Sequence, residues 1–149
     1  MELTTEEWDL IFLASQQTNL KFTKDDVIIQ QDNKYSMVCQ IISGSVRIEK
    51  QHVDCSVALA VLSPGEVFGE ISFLCDTPAS ATVIANDDVE LYVTSRPVLE
   101  ELFRANPHAV LKFYHYLCAT IARRIAQQEK LFVNPKRNRG NSFRNNNKT

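Results

Sequence analysis

One stretch of the chain, the 64–82 segment, combines residue types that could bind an anion; it reads PGEVFGEISFLCDTPASAT. Two glycines give its backbone freedom to turn, and residues 70–73 can form a short helix whose unpaired N–H groups would face the anion. The pattern predicts a loop that cradles a phosphate. Because no Lys or Arg occurs between Lys50 and Arg96, we expect backbone amides and hydroxyls alone to hold that phosphate.

The other reactive residue types indicate no second site. The four cysteines, at positions 39, 55, 75 and 118, form no Cys-x-x-Cys pair, so the sequence predicts free thiols and neither a zinc site nor a redox pair. No motif joins a nucleophile to a base, and no Walker glycine-lysine step is present. We therefore expect no enzymatic activity, no metal and no cofactor.

Length and charge limit the class of protein. The 149 residues, 44% of them hydrophobic, suffice for one domain with one core. All 18 acidic residues precede Val133, and the polar, Asn-rich residues 133–149 are predicted to form a disordered basic tail. Its dispersed charges do not indicate a nucleic-acid partner. The first residues lack the positive flank of a signal peptide and no apolar run could span a membrane, so we expect a cytoplasmic location.

The elements that position the 64–82 segment follow from hydrophobic spacing. Residues 4–17 space their apolar side chains as an amphipathic helix does. Between residues 20 and 95, short β-branched runs alternate with polar turns, which predicts about eight strands in a sandwich or barrel. The runs are residues 21–22, 27–29, 37–42, 46–48, 57–62, 82–84 and 89–93.

Local signals refine this pattern. Ser43-Gly44 lies between two alternating runs and predicts a hairpin, while residues 46–49 alternate apolar and charged side chains like a strand with one wet face. Beyond the last strand the spacing is helical again: a short helix ends near Asn106 and a long one begins at Pro107. The long helix has a wide apolar stripe, which favours packing or dimerisation.

This order of elements resembles the cyclic nucleotide-binding domain family. Residues 20–50 look like its first four strands, VLSPGEVFGEISFL like the start of its phosphate-binding cassette, and residues 102–125 like its last two helices. The resemblance implies a mainly β fold, an eight-stranded jelly roll (double-stranded β-helix) with a helix before it and a short and a long helix after it. The implied parts are an N-terminal helical segment 1–19, the domain at 20–132 and the tail at 133–149.

The resemblance also implies residue roles. Phe68 and Gly69 would shape the loop, and the Glu70 carboxylate would hold a ribose 2′-hydroxyl. Backbone amides at 71 and 72 would meet a cyclic phosphate. The implied ligand-binding set is Phe68, Gly69, Glu70, Ile71, Ser72, Ala79, Ser80, Ala81 and Thr82. Plainer interpretations stay open: Glu70 could cap its helix, and hydroxyls at 72, 80 and 82 could bond neighbouring backbone.

The chain departs from the family's pattern at the phosphate. The family places an Arg where this chain has Ala79, and losing one partner of a buried charge pair typically costs about 2 to 5 kcal/mol. Two turns, Lys24-Asp25-Asp26 and Gln31-Asp32-Asn33, also lack the glycines usual there, although Asn and Asp tolerate a left-handed backbone. We therefore expect the chain to bind a cyclic nucleotide with lower affinity than family members that have this Arg.

Two functions remain open at this point. In the first, the chain is a regulatory or sensor module of a signalling protein that binds cAMP or cGMP, and the long helix closes over the ligand with Gln127, Gln128 or Glu129 near the base. In the second, the domain does not bind nucleotide and serves a protein partner or a homodimer through the long helix.

Overall fold

A computed structural model describes residues 2–13 and 19–146, with side chains for 2–12 and 19–127. The elements are α1 (Thr5–Leu13), β1 (Leu20–Phe22), β2 (Val27–Ile29), β3 (Met37–Ser43), β4 (Val46–Gln51), β5 (Ser56–Leu62), β6 (Val67–Phe68), α2 (Glu70–Cys75), β7 (Thr82–Ala85), β8 (Val89–Ser95), α3 (Arg96–Ala105) and α4 (Pro107–Asn146). The predicted first helix is confirmed at 5–13, and its predicted end at 14–17 lies outside the described residues.

The described residues form two antiparallel four-stranded sheets. The first has the order β1-β8-β3-β6, and the second has the order β2-β7-β4-β5. Apolar side chains from both sheets form one buried cluster between them, because side chains along a strand point alternately to its two faces. Its members are Ile29, Cys39, Ile41, Val46, Leu62, Phe68, Ala79, Val83, Ala85, Val89, Leu91 and Val93. The predicted eight-stranded roll with flanking helices is confirmed.

The turn at Ser43-Gly44 corrects one prediction. It does not make a hairpin, since β3 pairs with β8 and β6 whereas β4 pairs with β5 and β7. The Ser45 N–H donates to Asp87 Oδ1 at 2.7 Å, and the Asn86 N–H donates to the Ser45 carbonyl at 2.9 Å. These bonds hold the turn to the β7–β8 connection, so the chain crosses here from the first sheet to the second.

Strand β4 confirms the predicted alternation. Val46 and Ile48 turn toward the core, and β4 keeps an unbroken register with β7 from Val46↔Ala85 to Glu49↔Thr82. On the opposite face Arg47 bonds Glu49 at 3.1 Å and Asp25 at 3.0 Å. The pairing of β4 with β5 shifts in register between Ile48 and Glu49, and Lys50 follows this point.

Helix α1 packs through its aromatic side chains. Trp8 stacks on Phe12 with ring centroids 5.9 Å apart, and Phe12 meets Phe113 edge to face at 5.7 Å. Beside them Lys112 Nζ lies 3.0 Å from Glu7 Oε1. A hydrogen bond from the Thr4 N–H and the Lys112 ammonium lower the pKa of Glu7.

The C-terminal part contains α3 and α4. Helix α4 begins at Pro107, as predicted, and the Ala109 N–H donates to Asn106 Oδ1 at 3.3 Å.

The chain divides into two compact units, Met1–Phe113 and Tyr114–Thr149. The backbone of α4 is helical through Asn146, which differs from the disorder predicted for 133–146; intrahelical hydrogen bonds need no apolar burial, so polar composition does not exclude a helix. Residues 147–149 lie outside the described residues, and the boundaries at 19/20 and 132/133 stay predictions.

Candidate functional site

The first half of the 64–82 segment forms a strand end and a short helix. Phe68 is buried and pairs with Cys39 on β3, and α2 begins two residues later at Glu70, as predicted. Between them Gly69 has φ 85°, and a Cβ there would lie 2.6 Å from the Met37 carbonyl oxygen. Only glycine fits this conformation and this close approach, because any side chain would meet backbone. The segment is thereby fixed against β3.

The first turn of α2 buries two polar side chains. Glu70 and Ser72 are buried, whereas Ile71 between them is 41% exposed. A carboxylate in the first turn of a helix is favoured by the helix dipole whether or not a ligand is bound. The geometry is compatible with both interpretations of Glu70, ribose binding and capping, so its role stays a prediction.

The second half of the segment is held by its backbone. Ala79 is 5% exposed within the core cluster. Its N–H donates to the Asn33 carbonyl at 2.9 Å, and its carbonyl accepts the Asp32 N–H at 2.8 Å. Asp32 and Asp25 both have φ 72°, so the two glycine-free turns survive with Asp in the left-handed region, as expected.

Thr82 is fully buried, and its hydroxyl has partners in the structure. Thr82 Oγ1 accepts the Gln31 N–H at 3.1 Å and lies 3.3 Å from Gln30 Nε2. These bonds support the plainer interpretation of this hydroxyl, in which it accepts a hydrogen bond from backbone at a strand end. Ser80 is exposed and Ala81 is half-buried. Whether any of the three contacts a ligand stays a prediction.

A glutamine network that sequence reasoning missed surrounds this region. The Gln51 N–H donates to Gln31 Oε1 at 2.7 Å, and Gln31 Nε2 donates back to the Gln51 carbonyl at 3.1 Å. Gln30 Nε2 also donates to Gln51 Oε1 at 2.8 Å. Amides can donate and accept at once, which suits them to join two strand ends. Their twenty-residue separation gives no local signal in the sequence.

Lys50 is a second missed residue. Its Nζ donates to the Ser80 carbonyl at 2.6 Å. A cation thirty residues earlier in the chain is thus brought to the segment by the pairing of β4 with β7, which local spacing does not reveal. Whether amides and hydroxyls alone hold a phosphate stays a prediction.

Arg96 fixes the other end of α2. Its guanidinium donates to the Phe73 carbonyl at 2.6 Å and to Asp76 Oδ1 at 2.9 Å, and it lies 5.2 Å from the centre of the Phe73 ring. A cation at a helix C-terminus compensates the unpaired carbonyls there. Because Arg96 is the first residue of α3, it connects α2 to that helix.

The structure brings some predicted site residues together and leaves others unplaced. Phe68 and Ala79 share the core cluster. Gln127 is exposed and belongs to the Tyr114–Thr149 unit, while the side chains of Gln128 and Glu129 lie outside the described ones. Their approach to a ligand stays a prediction. Within the described residues, no group of three or more His, Cys, Asp or Glu side chains could hold a metal, and no helix is long and apolar enough to cross a membrane.

Known proteins are similar to this chain over most of its length. The profile of the cyclic nucleotide-binding domain family matches residues 19–106. Cyclic GMP-binding protein C of Dictyostelium discoideum is 31% identical over 136 residues, which cover 86% of this chain and 5% of that protein. The Cyclic AMP receptor protein of Thermus thermophilus is 33% identical over 128 residues, covering 85% of this chain and 56% of its own. The chain thus spans a small part of the first relative and little more than half of the second.

A solved structure shows the same fold. The Thermus thermophilus Catabolite Activator Protein matches with a TM-score of 0.72 and 30% identity, over 87% of this chain and 59% of that one. The family profile, over residues 19–106, contains the whole 64–82 segment and ends before α4 begins at Pro107. The segment therefore lies in the matched region, and α4 lies beyond it.

Proposed function

This chain belongs to the cyclic nucleotide-binding domain family, and on that premise we propose that it binds cAMP or cGMP at the 64–82 segment as a regulatory module. One observation carries the proposal: the match to the family over 19–106 includes the whole 64–82 segment, with β6, α2 and the first residue of β7. The names of two relatives, a cyclic GMP-binding protein and a cyclic AMP receptor, support the same ligand class.

Each part of the ligand has a proposed partner. The Glu70 carboxylate accepts the ribose 2′-hydroxyl, and the amides of Ile71 and Ser72 receive the cyclic phosphate, which carries one negative charge. Support comes from the burial of Glu70 and Ser72 beside the fixed Gly69 turn. Ala79 cannot pair with the phosphate, so the affinity is lower than in a relative with Arg at that position.

The regulatory step is a change of population. Ligand favours one of two states of the module over the other, and the approach of Gln127, Gln128 and Glu129 to the base stays a prediction. A ligand shifts such an equilibrium only by its difference in affinity between the two states. Weak binding then produces a response only at high nucleotide concentration.

A thermal shift assay on the 149-residue chain tests the proposal. A ligand present at one hundred times its Kd adds about 2.7 kcal/mol, which raises the Tm of a chain of this length by roughly 5 to 10 °C. We expect such a rise with cAMP or cGMP. No shift from either nucleotide at millimolar concentration would contradict the proposal.

A pair of glutamate variants locates the site. Glu70→Ala should abolish the ligand-induced rise, because it removes the ribose acceptor. Glu101→Ala changes an exposed glutamate on α3 and should leave the rise unchanged. An equal rise in Glu70→Ala and wild type would remove Glu70 from the site while leaving binding itself intact.

A second candidate function, a contact with another protein chain through α4, has its own observation. Two large apolar side chains of this helix, Leu111 and Ile125, are 56% and 51% exposed. Exposed leucine and isoleucine on a helix are suited to a partner helix or a second copy. In this alternative the 64–82 segment binds no nucleotide.

A further inference from the structure

The side chain of Lys50 reaches the second half of the 64–82 segment. Strand β4 keeps an unbroken register with β7, and its residues Val46 and Ile48 face the core. Side chains two apart on a regular strand share a face. Lys50 lies two residues beyond Ile48, after a shift in the register of β4 with β5. It is half-buried, and its Nζ lies 2.6 Å from the Ser80 carbonyl.

The charge of Lys50 is not neutralised within the described residues. There its ammonium bonds a neutral carbonyl, and no described carboxylate lies within 4.0 Å of it. Two arginines of the same unit differ in this respect, because Arg47 is held by Asp25 and Glu49, and Arg96 by Asp76. The Lys50 ammonium thus places one positive charge, with two further N–H donors, beside Ser80, the residue that follows Ala79.

We propose that Lys50 donates to the phosphate of the bound cyclic nucleotide and supplies, from a different strand, the positive charge that Ala79 lacks. This inference rests on the proposed function and adds a phosphate-binding residue to it. An ammonium is a compact charge on a flexible four-carbon stem, so it can keep Ser80 as one partner and turn another N–H to the anion. Uncharged Ala79 can then remain in the core cluster.

Binding measured by calorimetry on the full chain, with cAMP and cGMP as probes, tests this assignment. Lys50→Met should weaken binding about tenfold, equivalent to about 1.4 kcal/mol. Lys50→Arg keeps the charge and should stay within about threefold of wild type, a change below about 0.7 kcal/mol. Lys21→Met is the matched control, since Lys21 is exposed on β1 of the first sheet and its loss changes the net charge equally.

A rescue separates phosphate binding from a structural role. Ala79→Arg placed in the Lys50→Met background should restore the lost affinity, because the new guanidinium supplies the missing charge. Binding of the nucleosides adenosine and guanosine, which carry no phosphate, should not change in Lys50→Met. If Lys50 only supports Ser80, nucleoside binding falls too and the arginine gives no rescue; that result overturns the proposal.

The outcomes distinguish this inference from the proposed function. Nucleotide binding that is equal in wild type, Lys50→Met and Lys50→Gln refutes the role of Lys50 and leaves the function standing. A wild-type chain that binds neither nucleotide refutes both. The ligand-free Tm of each variant is recorded alongside, and if Lys50→Met does not fold, Lys50→Gln and Lys50→Arg decide the question.

Discussion

Cys39 illustrates how the core changes the chemistry of one side chain. It is fully buried on β3, and its Sγ lies 3.2 Å from the Tyr35 hydroxyl. Burial raises the pKa of the Cys39 thiol to about 12, and the hydrogen bond with Tyr35 opposes this only in part. Burial likewise raises the pKa of Tyr35. Both groups therefore stay protonated in the folded chain at neutral and mildly alkaline pH.

Thiol reactivity checks this residue. Cys55, Cys75 and Cys118 are exposed, so at pH 8 we expect these three to react quickly with a chromogenic disulfide reagent. Cys39 should react only after denaturation, because it is buried and almost no thiolate forms below its raised pKa. Cys39→Ala should show the same fast phase and no late one. A fourth fast thiol in the native chain would show that this part of the core opens readily.

The same shift predicts how stability depends on pH. Unfolding returns the pKa of the Cys39 thiol from about 12 to its ordinary value of 9.0. Below pH 9.0 the folded chain keeps the full contribution of this group. As the pH rises further, the unfolded chain alone releases the proton, so the free energy of unfolding falls. Chemical denaturation at pH 8 and 10 should show a steeper loss in wild type than in Cys39→Ala.

At the residue scale, sequence reasoning identified the segment but not all of its chemistry. It located Gly69 and Glu70 because their motif is local. It excluded a cation because none is close along the chain, whereas strand pairing brings Lys50 to Ser80. Contacts between residues that are distant in sequence depend on sheet register, which local spacing does not encode.

At the scale of elements, Gly69 and Gly65 form a natural comparison. Both have positive φ, 85° and 91°, but a Cβ at 69 would lie 2.6 Å from the Met37 carbonyl, while one at 65 would have nothing within 4 Å. Gly65→Ala should lower the free energy of unfolding by about 1 kcal/mol for the left-handed backbone. Gly69→Ala should lose about 2 to 4 kcal/mol, because the clash adds to that cost.

Urea denaturation of both glycine variants measures the difference. A larger loss in Gly69→Ala shows that the β6–α2 turn presses on β3. Equal losses in the two variants would mean that β3 or the turn shifts at little cost. In that case the close approach would not fix the 64–82 segment.

Strand prediction succeeded where the hydrophobic pattern was long. It failed where the outcome depended on which strands pair with each other. The strands β3, β5 and β8 are each seven residues long, and sequence patterns predict most of each of them. The two-residue β6 offers no periodicity to read. The Ser43-Gly44 signal predicted a reversal correctly but gave the wrong partner for β4, because a turn residue specifies local backbone and not the sheet that follows.

At the scale of the whole molecule, charge is divided unevenly. Residues 1–113 contain eight basic and seventeen acidic residues, a net charge of −9, and residues 114–149 contain eight basic and one acidic, a net charge of +7. Self-association of the chain therefore has two separate candidate routes. One uses the exposed apolar side chains of α4, and the other pairs the basic unit of one copy with the acidic unit of another.

Sedimentation at two salt concentrations distinguishes these routes. If α4 serves a second copy, wild type is a dimer at tens of micromolar and remains one in 0.5 M salt, where the Debye length falls to about 4 Å and charges are screened. Leu111→Glu should then give monomer, whereas Leu10→Glu, at an exposed leucine of α1, should not. A dimer that dissociates in salt indicates the charged route, and a monomer in both buffers contradicts the dimer.

The exposure of Cys75 makes the molecule convenient for optical spectroscopy. Cys75 is the last residue of α2 and precedes Asp76, which Arg96 holds. With Cys55 and Cys118 replaced by Ser, a maleimide fluorophore attaches there alone, since Cys39 is buried. The dye then reports the environment at the end of α2 in real time, and its emission during a nucleotide titration records whether the surroundings of that helix change.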